Sequence, residues 1–99
     1  MAAYFIVDIE VNDPQMYEEY RKLVGPTLER YGGKFLARGG ATETIEGDWR
    51  PKRLVMLEFE DADQFKRWYY SPEYSEAREI RFKASSARAI LVEGIVEGI

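Results

Sequence analysis

The 99-residue sequence contains no cysteine and no histidine. Without cysteine there are no disulfides, no thiol nucleophile and no thiolate zinc site. Without histidine the commonest general base, the usual haem ligand and the commonest zinc ligand are missing. Only carboxylates remain to hold a metal, which favours a hard ion such as Mg²⁺, and no motif for one is visible. Basic residues are scattered and the formal net charge is −4, so nucleic acid is not an expected partner. No apolar run is long enough to span a bilayer, and the first strand-like run begins by Ala3, which leaves no room for a signal peptide. The expectation is a cytoplasmic protein that does not engage a membrane.

What is present is a chain 45% apolar and 14% aromatic, enough for one packed domain. Residues 3–11 (AYFIVDIEV) are apolar at every odd position, the period of a strand with one greasy face. Asp13-Pro14 then caps a helix, and Met16, Tyr17, Tyr20, Leu23, Val24, Leu28 and Tyr31 follow at spacings of three and four. Gly25-Pro26 inside this stripe predicts a kink or a break. A second strand is expected over 34–46 with a bulge at Gly39-Gly40, a turn at GDWRP (47–51), and a third strand over 53–60 (RLVMLEFE). Asp61 with Gln64 has the spacing of a capping box. A helix runs from there to about Tyr70. Ser71-Pro72 starts another, to about Ala84, and a last strand covers about 86–96.

Residues 9–20 and the segment from Leu57 repeat the same strand-cap-helix pattern, with Glu10 matching Glu58 and Tyr20 matching Trp68. The order β-α-β-β-α-β predicts an α+β, ferredoxin-like sandwich as a single domain over 1–99, with both helical segments on one face. Right-handed crossovers place strands one and three side by side, expected parallel. Phe5, Val7, Ile9, Val55, Leu57 and Phe59 then face the helices, and Tyr4, Ile6, Leu54 and Met56 face outward. An uncovered apolar patch of that kind predicts a homodimer packed sheet to sheet. The repeated unit in VEGIVEGI (92–99) is either an extension of the last strand across that seam or an ordinary strand end.

The segments YGGKFLARGG, EGDWRPKRLV and WYYSPEY, with DIEVNDPQMYEEYRK and ILVEGI, resemble a widespread bacterial family, the domain of unknown function numbered thirteen-thirty. The resemblance covers nearly the whole chain. It implies the dimeric α+β barrel superfamily, which includes cofactor-free monooxygenases, muconolactone isomerase-like proteins and haem-dependent chlorite dismutase-like enzymes. It implies no particular reaction, since fold does not define function.

Several constellations carry possible chemistry. On adjacent parallel strands Glu10 and Glu58 would lie close enough for mutual repulsion to raise one pKa toward that of a usable acid or base. A polar network inside a dimer would use the same pair. Arg38, before Gly39-Gly40, would hold a carboxylate or a developing enolate, or else pair with Glu58 beside a simple bulge. Trp49 lies among Arg50, Lys52 and Arg53, where it would cap a pocket or pack on a partner. Tyr17, Trp68 and Tyr69 are core residues or walls of an aromatic pocket. The resulting expectation is a dimer binding a small organic ligand without a cofactor. In its enzymatic version Glu10 or Glu58 is the base, Arg38 stabilises charge, and Tyr17 or Tyr69 orients a carbonyl-bearing aromatic for isomerisation or oxygenation. The competing expectation is a non-catalytic ligand-binding or stress-related module.

Overall fold

The computed structural model describes residues 1–95. Strand β1 (Ala3–Val11) leads into helix α1 (Pro14–Arg30), then β2 (Lys34–Arg38), β3 (Leu54–Phe59), helices α2 (Ala62–Tyr69) and α3 (Pro72–Ala84), and β4 (Ser85–Glu93). The strands form one sheet in the order β2-β3-β1-β4, with every neighbouring pair antiparallel. No helix among the described residues is long and apolar enough to cross a membrane.

The expected adjacency of β1 and β3 holds, but the expected parallel direction does not. Helix α1 returns the chain so that β2 runs the same way as β1. The connection from β2 to β3 then reverses it, so β3 opposes β1. In this register Tyr4 stands opposite Glu58, and Glu10 stands opposite Ser86 on β4.

Local chemistry accounts for the helix boundaries. The Asp13 side chain accepts the Met16 N–H at 3.1 Å, and Pro14 occupies the first turn, where its missing N–H costs nothing. The helix continues through Pro26 without a break; Val24 and Leu28 on either side are both anchored in the core. Asp61 accepts the Gln64 N–H at 2.7 Å, while the Gln64 side chain accepts the Glu60 N–H at 2.8 Å, a reciprocal cap shifted by one residue. Ser71 separates α2 from α3: its hydroxyl donates to the Trp68 carbonyl and accepts the Tyr74 N–H.

The second strand is shorter than the sequence predicts. It ends at Arg38, and the register shift falls between Phe35 and Ala37, not at the glycine pair. Residues 39–53 run as a loop between β2 and β3. The last strand ends at Glu93, although the Gly94 N–H still bonds the Ala2 carbonyl at 2.7 Å. The final four residues of VEGIVEGI lie outside the described residues.

The core forms where alternation predicts. Phe5, Val7, Ile9, Val55, Leu57 and Phe59 are buried against Tyr17, Tyr20, Val24 and Leu28 of α1, Phe65 and Trp68 of α2, and Tyr74 of α3. Fully burying side chains of this size contributes about 1.5–3 kcal/mol each. Among the described residues no helix lies on the opposite face of the sheet. Ile6 sits in register between Met56 and Ile90, and Ile90 is 62% exposed.

Candidate functional site

The Leu36 bulge sets the direction of Arg38. Strict alternation would put Phe35 and Arg38 on opposite faces. With the extra residue, Phe35 pairs with Leu57 and Arg38 with Val55, so both face the helices. The Arg38 guanidinium lies 4.3 Å from the centre of the Phe35 ring.

Gly39 answers to the same architecture. Its φ is +71°, and its N–H bonds the Leu54 carbonyl at 2.8 Å. A Cβ there would collide with the guanidinium of Arg53. The glycine thus supplies both the left-handed backbone and the space through which Arg53 reaches inward. Arg53 Nε donates to the Tyr17 hydroxyl at 3.3 Å.

These side chains converge on a cleft between the helices and the sheet. Its walls include Tyr17, Tyr20, Trp68 and Tyr74, and four arginines reach it: Arg21, Arg38, Arg53 and Arg81. Among the described residues no aspartate or glutamate lines it. The ring of Trp68 stacks on Tyr74 at 3.9 Å, and its indole N–H donates to Thr27 at 3.1 Å. The hydroxyls of Tyr20 and Tyr74 are 3.0 Å apart. About 20 Å³ is open to a water-sized molecule, room for a single water. An organic ligand therefore needs the side chains at the mouth to swing aside; Arg21 and Arg38 are exposed and long enough to do so.

The least ordinary residue of the cleft is Arg81. It occupies a stripe position of α3 with Tyr74, Ala77 and Ala84, and is 3% exposed. Its Nε has no hydrogen-bond partner, and among the described residues no carboxylate lies within ion-pair distance of it. Burial disfavours the charge, but the facing oxygens of Tyr74 and Tyr20 outweigh that and hold its pKa above the ordinary value, so it stays a cation. Burial likewise raises Tyr20 and Tyr74, which stay protonated.

The antiparallel sheet separates the two glutamates expected to act together. They lie on the outward face, six positions apart along β1, a span of about 20 Å. Glu58 pairs with Lys34 at 3.5 Å and not with Arg38, and Glu10 is exposed near the opposite end. Neither glutamate lines the cleft. Trp49 is on the outward face too, where its indole N–H donates to Asp8 at 3.1 Å over a groove of about 670 Å³ floored by Ile6, Leu54 and Ile90. Tyr69 packs against Phe5 and Phe65 and lies under the Arg78 guanidinium, outside the cleft lining. Of the residues expected at a site, Tyr17, Arg38 and Trp68 come together. Arg81 joins them from outside the expected set; its signal in the sequence is an arginine at apolar-stripe spacing from Tyr74 and Ala77.

A four-stranded antiparallel sheet with all helices on one side and a cleft between the layers defines the class: a ferredoxin-like α+β protein. The chain belongs to the family described as Domain of unknown function (DUF1330), which matches residues 2–95. Solved structures share the fold at low identity. A protein of unknown function from Rhodopseudomonas palustris is 20% identical, with 96% of this chain and 83% of that one covered and a TM-score of 0.77. SnoaB, a cofactor-independent oxygenase from Streptomyces nogalater, is 15% identical over 98% and 96% of the two chains, with a TM-score of 0.66. A dimeric ferredoxin-like protein of unknown function from Thermobifida fusca is 16% identical over 93% and 90%, with a TM-score of 0.59. No curated protein matches the sequence.

Proposed function

We propose that the protein is a homodimer that binds a small organic molecule in the cleft between its helices and its sheet. The observation that carries the ligand site is convergence: three tyrosines, a tryptophan and the arginines of three different elements point into one cleft. The outward face supports the dimer. Ile6, Met56 and Ile90 form an apolar patch in which Ile6 and Met56 are half-buried and Ile90 is exposed, and a protein of the same fold is dimeric.

Binding is better supported than acid–base catalysis, because no carboxylate among the described residues lines the cleft and the chain has no histidine or cysteine. A second reading, cofactor-independent oxygenation or isomerisation, rests on the guanidinium groups, which suit a developing oxyanion, and on the shared fold of SnoaB. In that reading Arg38 and Arg53 stabilise charge, and Tyr17 orients a carbonyl-bearing aromatic.

The two tryptophans provide the test, because Trp68 reports on the cleft and Trp49 on the outward groove. Small carbonyl-bearing aromatics are titrated against ¹⁵N-labelled protein. Binding in the cleft shifts the Trp68 indole resonance saturably. Ligands that move only Trp49 would place the site on the outer face and defeat the proposal.

A further inference from the structure

We propose that the cleft selects an organic anion: a small planar molecule bearing a carboxylate, with Arg81 holding the charge at the buried end and Arg53 at the mouth. This rests on the cleft being the ligand site and adds the chemical class of its occupant.

The chain has 18 acidic residues against 14 basic ones, yet among the described residues no acid lines the cleft. Of the four arginines there, only Arg21 has a carboxylate within ion-pair distance, Glu18 at 3.3 Å. Arg38, Arg53 and Arg81 have none among the described residues. The cleft is thus a local positive site on a net negative molecule. That arrangement repels cations from the interior and draws anions to it.

Arg81 makes the case specific. Taking a guanidinium out of water without a counter-charge lowers stability. The tyrosine hydroxyls facing it are neutral and bring no counter-charge, and Nε stays without a partner. A carboxylate would complete the arrangement, because the planar fork of an arginine matches it with two parallel hydrogen bonds. The rest of the ligand is set by the walls. Tyr17, Tyr20, Trp68 and Tyr74 present aromatic surfaces in a narrow space, which suits a flat unsaturated body.

The test uses the full chain with benzoate and its neutral counterpart benzamide, read by the Trp68 indole resonance and by calorimetry. Benzoate is expected to bind at least about tenfold more tightly than benzamide, the worth of a hydrogen bond to a charged group. In Arg81→Met that ratio should collapse toward one, while the ligand-free variant melts at the same temperature as the parent or higher. Arg53→Gln, nearer the surface, should reduce the ratio severalfold, and it serves as the deciding variant if Arg81→Met does not fold. Equal binding of benzoate and benzamide to the parent protein would overturn the anion inference and leave the cleft as a site for neutral molecules. An unchanged ratio in the folded variants would also overturn it. If nothing moves the Trp68 resonance, the cleft reading fails as well.

Discussion

The hydroxyl oxygens of Tyr20 on α1 and Tyr74 on α3 lie 3.0 Å apart in the interior, a buried polar link between the two helices. Replacing either tyrosine by phenylalanine leaves the other hydroxyl short of a partner. Each single variant should lose about 1 kcal/mol in urea unfolding, and the double variant less than the sum. Burial holds both groups above their ordinary value of 10.0. A raised folded pKa means stability intact below pH 10 and falling above it, as the unfolded chain ionises and the folded one resists. The double variant should show a shallower alkaline decline.

Gly39→Ala should destabilise the fold by about 1–2 kcal/mol, since it places a side chain at positive φ and against Arg53. Gly40→Ala is the control: nothing lies near its Cβ position and its effect should be small. Thermal melts of the two variants side by side check this.

Asp8 tethers the 39–53 loop to the sheet. It accepts the Trp49 indole N–H and the Lys52 backbone N–H, the latter at 2.9 Å. Burial alone would raise its pKa. The bonds from Trp49, Lys52 and Arg53 and the charge of Arg88 outweigh burial and hold it below the ordinary 3.8. A depressed folded pKa contributes stability above about pH 4, lost as pH falls through the folded value. Asp8→Ala should lower stability at pH 7 by about 1 kcal/mol, flatten the acid limb, and speed proteolysis between Gly39 and Arg53.

Met56→Glu should break the proposed dimer, because it puts a charge in register with Ile6 at the middle of the outward patch. Sedimentation equilibrium should show half the parent mass. Ligand binding in the cleft, on the other side of the sheet, should persist. A parent protein already monomeric at tens of micromolar would overturn the dimer.

Much of the fold was legible because its signals are local. Asp13, Asp61 and Ser71 cap helices through atoms within a few residues of themselves. The alternation of β1 and β3 assigns faces without reference to any partner. The site was less legible. The repeat that matched Glu10 to Glu58 is present in the sequence, but it joins strands running in opposite directions, so equivalence in pattern became separation in space. The bulge at Leu36 carries no glycine or proline to announce it, yet it alone turns Arg38 toward the helices.

The amino-acid order by itself determined where the helices start and stop and which side of β1 and β3 is apolar, because backbone geometry and capping act over one turn or one pleat. Only the tertiary structure decided which charged groups meet. Strand direction, a one-residue shift in register and the packing of α3 on α1 are settled by contacts between residues far apart in the chain. Those contacts sent two glutamates to one face and left Arg81 buried on the other, without a carboxylate among the described residues.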